Sequence, residues 1–318
     1  MLYPMLMEPY YRHGKETPWG GRALAERFGR TLPDDLTGES LEISALAHTP
    51  SKVVNCRFAG RFFSDICAEY GKAVSGIEGE FPLLVKIIDA RGLLSVQVHP
   101  GDDYALPRHN KLGKTEAWMV LSAEKGAKLF AGIEQGAPDF SLLAKDEKLM
   151  QGSLHAMAVE PGDVVYIPHG LVHALGSGIM VYEIQQSSDV TYRISDWGRL
   201  GTDGKPRQLH LEDAAHVVRQ ELTAKKEKGV SFPCPGGVQT RFVAAENFEL
   251  WEYVVKGDML LPAGSMRLIT SLGYTSLIWE DEKTDLIPGA SAVIPCDCPD
   301  VILSGKDARV IVSMLPER

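Results

Sequence analysis

The residues best suited to chemistry are nitrogen and oxygen donors between positions 97 and 173. In LLSVQVHP, Gln97 and His99 stand two apart in a segment with strand alternation, so both side chains project from one face. In GKTEAW, Lys114 and Glu116 are again two apart, on a second predicted strand. His173 follows a Pro-His-Gly turn in GDVVYIPHGLVHAL. Two imidazoles, one carboxylate and one amide oxygen are a ligand set typical of a divalent metal site.

The four candidate ligands favour one zinc ion per chain. Manganese, iron and cobalt stay open because no cysteine sulfur in the set selects among metals. A single anionic ligand, Glu116, leaves the bound ion with net positive charge, which suits a Lewis acid. Each residue alone has a plainer interpretation, since a strand histidine is more often a packed residue and Glu116 beside Lys114 is often a solvated pair. The turn that leads into His173 favours the metal site, because a cupin barrel supplies its last ligand in this way.

Ordered motifs across the first 215 residues resemble one protein family. The motifs are TPWGG (17–21), GESLEIS (38–44), LLSVQVHP (93–100), GKTEAW (113–118), GDVVYIPHGLVHAL (162–175), YEIQQSSDVTYRISDWGR (182–199) and LHLEDA (209–214). With these segments the chain resembles the zinc-dependent type I mannose-6-phosphate isomerases in their short bacterial form. The resemblance implies an aldose-ketose isomerase that interconverts mannose 6-phosphate and fructose 6-phosphate through a cis-enediolate. It also implies zinc ligands at the same four positions, Gln97, His99, Glu116 and His173.

The resemblance further implies active-site roles for Lys114, Glu183 and Arg193. Glu183 lies on the predicted strand after His173, where a carboxylate could carry the proton between C1 and C2 of the sugar. Lys114 is an equal candidate for the proton carrier. Arg193 is a permanent cation suited to the enediolate oxygens, and an ion pair with Asp196 is its structural alternative. The residue that anchors the substrate phosphate stays open among four candidates, which are Lys86, Arg91, Ser95 and Arg199.

Two features depart from the family pattern, and other functions stay open. Leu41 stands where the family usually has an aromatic residue, and ALAHTP replaces a commoner SAHP run. The interval from Glu116 to His173 is too short for the helical domain that longer members carry there. The alternative function is a catalytically inactive, metal-stabilised sugar-phosphate-binding or regulatory cupin. A cupin oxygenase is less favoured because Gln97 would be a fourth protein ligand.

The elements that must position these residues are mainly strands. Alternation predicts strands over 91–99, 115–122, 159–168, 179–185 and 191–194, and helical spacing predicts helices over 21–28, 62–70, 139–150 and 211–225. Together with the resemblance, this predicts a mainly β fold in which a cupin-type jelly-roll catalytic domain with helical insertions occupies residues 1–235. A charged, Pro- and Gly-rich segment at 225–237 reads as a linker. Residues 236–318 are expected to form a smaller, jelly-roll-like β-domain that lacks histidine.

Composition indicates a globular chain without a nucleic-acid or membrane role. The 318 residues are 44% hydrophobic and 24% charged, which suffices for a large core and about two domains. A formal net charge of −9 disfavours a nucleic-acid binder, and no apolar run approaches the ~18 residues of a membrane span. Five cysteines, an odd number, and a start without signal-peptide features predict a cytoplasmic protein. The expected partner is a small sugar phosphate, and the oligomeric state stays open.

Overall fold

The computed structural model describes residues 1–200 and 204–317, and most of its regular structure is β. The strands are β1 Met5–Glu8, β2 Tyr10–Arg12, β3 Glu39–Ile43, β4 Lys52–Val53, β5 Leu83–Ala90, β6 Val96–Val98, β7 Glu116–Ala123, β8 Lys128–Ile133, β9 Leu154–Ala158, β10 Val164–Ile167, β11 His173–Ala174, β12 Ile179–Gln186, β13 Tyr192–Ser195, β14 Val230–Cys234, β15 Gly237–Ala244, β16 Glu249–Val255, β17 Asp258–Leu261, β18 Arg267–Ser271, β19 Thr275–Trp279, β20 Glu282–Leu286, β21 Ser291–Ile294, β22 Val301–Gly305 and β23 Ala308–Met314. This content confirms the mainly β prediction.

The helices are short and occur in the first 217 residues. They are α1 Ala23–Phe28, α2 Phe63–Tyr70, α3 Lys72–Ser75, α4 Asp102–His109, α5 Phe140–Leu143, α6 Glu147–Gly152 and α7 Leu211–Val217, with 3₁₀ turns at Gly14–Glu16 and Cys56–Phe58. None of the helices in the described part of the chain combines the length and the apolar character that a membrane span requires.

Two of the four predicted helices are confirmed, and two differ. Helices α1 and α2 fall within the predicted ranges, and α1 ends at Gly29, whose left-handed φ of 66° allows its amide to bond Ala25 O. The helix expected over 139–150 is split into α5 and α6 because Asp146 leaves the helical conformation. Its side chain instead accepts hydrogen bonds from two amides in the first turn of α6. The helix expected over 211–225 ends at Val217, since Val218 is already extended.

The strands form four sheets of mainly antiparallel pairs. Their orders are β14-β15-β16-β23-β18-β21-β1-β4, β10-β7-β12-β5-β3-β2, β13-β6-β11-β8-β9 and β17-β22-β19-β20. The predicted strand over 91–99 is trimmed to β6, because residues 91–95 form no ladder. The segment predicted as a linker contains β14, which pairs with β15 along its whole length. That segment is therefore part of a sheet and not a flexible connection.

The chain forms two compact units that are interleaved in sequence. The first comprises Met1–Tyr10, Leu41–Lys86 and the segment from Lys228 onward, and the second comprises Tyr11–Ser40 and Ile87–Glu227. This division differs from a single boundary at 235/236. The reason lies in long-range pairing, because β1 is hydrogen-bonded to β21 with Met5 opposite Val293. No local pattern near the N terminus signals a partner so far along the chain.

The second unit carries all of the predicted metal ligands and is built around two apolar clusters. One cluster lies mainly among strands β7, β8, β10 and β12, and its two largest members are Trp19 and Trp118. The other packs β6, β11 and β13 against α5, α6 and α7. Because these strands are buried on both faces at many positions, the polar residues among them need specific partners inside the unit.

Replacement of Met5 by Ala tests whether β1 is an integral part of the first unit. Met5 is fully buried, so the change should lower the free energy of unfolding by about 2–5 kcal/mol. Leu260→Ala is the control, because Leu260 is 55% exposed and its loss should change stability by no more than about 0.5 kcal/mol. Urea unfolding followed by fluorescence measures both. Equal, small losses would show that β1 does not pack as described.

Candidate active site

One row of candidate residues crosses three neighbouring strands of the five-stranded sheet. Gln97 in β6 lies opposite His173 in β11 on one side and opposite Arg193 in β13 on the other. Residues directly opposite one another in antiparallel strands project from the same face of a sheet. The row therefore places two predicted metal ligands beside the predicted enediolate-binding cation.

A second row lies in the neighbouring pair of strands β7 and β12. Glu116 is opposite Gln185, and Trp118 is opposite Glu183. Because each pair is two residues from the next, all four side chains share one face. The indole Nε1 of Trp118 donates a hydrogen bond of 2.8 Å to Glu183 Oε2, and both side chains are buried. The predicted proton carrier Glu183 is thus held on the same face as the predicted ligand Glu116.

The two rows meet at His99, Glu116 and His173. Their candidate ligand atoms all lie within 4.8 Å of one another. The separation is 3.4 Å from His99 Nε2 to Glu116 Oε2 and 3.3 Å from His173 Nε2 to Glu116 Oε1. None of the three is more than 1% exposed. Gln97 adjoins them, with its amide nitrogen 3.3 Å from His173 Nε2; a half-turn of the amide would present its oxygen at that place.

Backbone carbonyls orient both imidazoles. His99 Nδ1 lies 3.1 Å from Val190 O, and His173 Nδ1 lies 2.9 Å from Leu171 O. A proton on each Nδ1 serves these carbonyls and leaves the lone pair on Nε2, which faces Glu116. Burial lowers the pKa of both histidines, and for His99 it does so to about 3, with the nearby Lys114 cation adding to the effect. Both rings are therefore neutral near pH 7 and able to bind a metal.

Glu116 is a buried carboxylate whose charge is compensated by its neighbours. Burial by itself raises the pKa of such a group. The ammonium of Lys114, which donates to Glu116 Oε2, outweighs burial and holds the pKa of Glu116 well below its usual range. Lys114 is itself buried, and its Nζ also lies 3.0 Å from His99 Nε2. The centre of the site is consequently an anion, a cation and two neutral rings.

These donors fit a divalent metal ion. Two neutral Nε2 atoms and a carboxylate converge, and the buried Glu116 Oε1 has no hydrogen-bond partner among the described residues. A carboxylate oxygen in that situation is unfavourable next to a neutral ring but favourable next to a cation. The lone pair of His99 Nε2 can serve one partner at a time. An ion bound there would therefore displace the Lys114 ammonium from that nitrogen.

Arg193 is half-buried and forms no ion pair with the residues that the structure describes. Its Nη1 donates to Gln208 O at 2.9 Å, and its Nε is buried without a hydrogen-bond partner in the described structure. Burial, together with the nearby cation Arg207, lowers the pKa of Arg193. Asp196 takes its hydrogen bonds from Arg199 and Arg207 instead. The structural alternative for Arg193, a pair with Asp196, is therefore not the arrangement that the structure adopts.

The four candidates for the phosphate anchor differ in their surroundings. Arg91 pairs with Glu124, just beyond the end of β7 that is remote from Glu116. Arg199 donates to Leu93 O as well as to Asp196, so its guanidinium already has partners. The remaining two, Ser95 and Lys86, are both buried, and Lys86 belongs to the first unit.

Sequence reasoning missed Trp118 as a partner of Glu183. The signal was available, because Trp118 follows Glu116 by two residues in the same predicted strand and must share its face. His169, in the turn before His173, has its Nδ1 3.5 Å from Thr115 Oγ1 and is outside the three-residue cluster. Leu41, which departs from the family pattern, is fully buried in the first unit.

A mainly β fold with a buried His-Glu-His centre defines a protein of the cupin class whose donor set could hold a metal ion. Residues 11–119 match the family described as phosphomannose isomerase type I, catalytic domain. The chain is 38% identical over 217 residues to mannose-6-phosphate isomerase ManA of Bacillus subtilis, covering 68% of each chain. It is 35% identical over 263 residues to the mannose-6-phosphate isomerase of Streptococcus mutans, covering 80% of each.

Comparison of structures gives the same result. The crystal structure of mannose 6-phosphate isomerase from Bacillus subtilis matches with a TM-score of 0.90 and 31% identity, over 98% of this chain and 99% of that one. The chain therefore belongs to the type I phosphomannose isomerase family. Membership confirms the resemblance read from the ordered motifs and the cupin fold that it implied.

Loss of a donor should weaken metal binding. His173→Ala and Glu116→Ala each remove a group that faces the other donors, so each should lower the affinity for zinc at least about 100-fold. Competition with a chromophoric chelator measures the dissociation constants. His169→Ala is the matched control, since this histidine lies in the preceding turn and should leave the affinity unchanged. Wild-type affinity in His173→Ala would remove His173 from the ligand set.

Proposed function

We propose that the chain catalyses the reversible isomerisation of mannose 6-phosphate and fructose 6-phosphate, with one zinc ion held by Gln97, His99, Glu116 and His173. The observation that carries the proposal is the buried convergence of Glu116 with two Nε2 atoms at 3.3 and 3.4 Å. The activity in the names of the similar proteins supports the choice of substrate. Nitrogen and oxygen donors of this kind suit zinc and do not exclude other divalent metals.

The bound ion supplies Lewis acidity toward the sugar oxygens. Glu183 is the base for the carbon-bound proton, because its carboxylate is oriented by the indole N–H of Trp118 and shares a face with Glu116. Lys114 serves the oxygen end, since an ammonium that donates to Glu116 is a proton donor already placed among the ligands. The two proton carriers thus act on different atoms of the substrate.

Arg193 provides a fixed cation beside Gln97. Enediolate formation places negative charge on O1 or O2 that the sugar lacks in its ground state. A guanidinium that is half-buried and free of a carboxylate partner in the described structure interacts more strongly with that charge than with the neutral substrate. The presence of Lys114, Glu183 and Arg193 around one donor set disfavours the alternative of an inactive sugar-phosphate-binding cupin.

A coupled assay with mannose 6-phosphate, together with elemental analysis, tests the reaction and its metal. Freshly purified protein should contain one zinc ion per chain and should form fructose 6-phosphate. Dialysis against a chelator should abolish turnover, and zinc should restore it. Magnesium is the control ion, because it prefers all-oxygen ligands and should restore little. Full activity in metal-free protein would contradict the proposal.

Arg193→Ala tests the role of the cation. Turnover should fall by about 10² to 10³-fold while the Michaelis constant and zinc content change little, since the lost interaction is made in the transition state. Arg193→Lys should recover only part, because an ammonium lacks the planar fork. Arg199→Ala is the control. It loses the bonds to Leu93 O and Asp196, so it should lower the melting temperature and change kcat little. Near-normal turnover in Arg193→Ala would exclude it from catalysis.

A further inference from the structure

Two adjacent glutamines at the end of β12 have no part in the reaction proposed above. Gln185 and Gln186 follow Glu183 and are both buried. Because neighbouring residues of a strand project from opposite faces, their amides reach different segments of the second unit. A buried amide is unfavourable unless it is hydrogen-bonded, so what each one binds indicates its purpose.

The amide of Gln185 holds the turn that follows β12. Its Nε2 donates to Gln186 O and to Ser188 O, each at 2.7 Å, so both of its N–H groups are used. The turn is tightened further by a bond from Ser188 N to Gln186 O. It continues to Val190, whose amide donates to Ser188 Oγ and whose carbonyl lies 3.1 Å from His99 Nδ1. Gln185 is thus joined to the His99 ring through a short, fixed stretch of backbone.

The amide of Gln186 holds the segment that carries Lys114. Its Oε1 accepts from Thr115 N at 3.0 Å, and its Nε2 donates to Asp102 Oδ1 at 3.0 Å. Asp102 Oδ1 also accepts from Gly113 N at 2.6 Å. The residues on both sides of Lys114 are therefore anchored to one amide or to its partner. Lys114 itself donates its backbone N–H to Pro100 O at 2.9 Å.

We infer that Gln185 and Gln186 are positioning residues with separate tasks. Gln185 sets the orientation of the His99 ring and hence the affinity for metal, and Gln186 sets the place of the Lys114 ammonium and hence the rate of proton transfer. The inference rests on the proposed function, which makes His99 a ligand and Lys114 a proton carrier. A ligand ring is presented correctly only if the group that binds its other nitrogen is itself fixed.

The chemistry of the amide explains why glutamine is required at both places. Gln185 faces two carbonyl oxygens, so a glutamate there would repel them. Gln186 uses its oxygen and its nitrogen together, which neither a carboxylate nor an apolar side chain can do. Gln185 Oε1 is buried, and no residue in the described part of the chain hydrogen-bonds to it. An apolar residue would avoid that cost, so packing alone does not account for the amide.

Gln185→Met and Gln186→Met keep the approximate side-chain length and remove the hydrogen bonds. Gln185→Met should raise the zinc dissociation constant about 10- to 100-fold and leave kcat at saturating zinc near that of the wild type. Gln186→Met should lower kcat about 10- to 100-fold with little change in the Michaelis constant or in zinc affinity. Chelator competition gives the affinities, and steady-state kinetics at saturating zinc give the other two quantities.

Gln220→Met is the matched control. Gln220 also joins two backbone segments, accepting from Phe140 N and donating to Pro138 O, and it touches none of the candidate site residues. It should lower the melting temperature and change neither zinc affinity nor kcat. If both test variants behave in the same way, the inference is wrong.

A second pair of variants separates positioning from folding. Gln186→Glu keeps the acceptor for Thr115 N but sets a carboxylate against Asp102, and it should also reduce kcat. Addition of Asp102→Asn removes the repulsion between the two carboxylates, keeps an amide oxygen as acceptor for Gly113 N, and should recover part of the lost kcat. Absence of any recovery would contradict the role given to Gln186. A wild-type protein that binds zinc without turnover would contradict the proposed function alone, because the zinc affinity of Gln185→Met still tests Gln185.

Discussion

The buried carboxylate of Glu116 is the constraint on which the rest of the site depends. A charge removed from water must be compensated by neighbours, and here the compensation comes from the ammonium of Lys114 on the same segment. A slip of one residue in β7 would turn Glu116 to the opposite face, away from the donor atoms of His99 and His173. The pairing of β7 with β10 and β12, and of β6 with β11 and β13, is therefore fixed by electrostatics as well as by the apolar core.

The same constraint links the metal to the lysine. Lys114 donates to the two donors, His99 Nε2 and Glu116, that a metal ion would also use. Two cations cannot share one lone pair, and they repel each other at such short range in a buried site. Binding of the ion and the position of the ammonium are consequently coupled. The lysine stabilises the buried carboxylate in this structure, and under the proposed function an ion that took over that role would leave the ammonium for the substrate.

Much of the site could be predicted from the sequence because its donors obey the two-residue period of strands. Gln97 with His99 and Lys114 with Glu116 were recognisable as pairs on a common face before any fold was known. The helix α4, by contrast, is not among the predicted helices, and it contains Pro107, a residue type that disfavours helix interiors. The segments that make up the first unit could not be predicted either, because the partner of β1 lies near the far end of the chain. The periodicity of a sequence reports local geometry, whereas the make-up of the first unit depends on pairing between strands that are distant in sequence.

Strand register alone does not complete the site. Rows across β-sheets bring side chains to within about 5 Å of one another, but they leave the rotation of an imidazole or an amide undetermined. In this structure the carbonyls of Leu171 and Val190, both in turns, fix the rotation of the two imidazole rings. The strands thus decide which residues meet, and the turns decide which atom each presents. A substitution in those turns would therefore alter metal binding without touching a ligand, and a search confined to donor residues would overlook it.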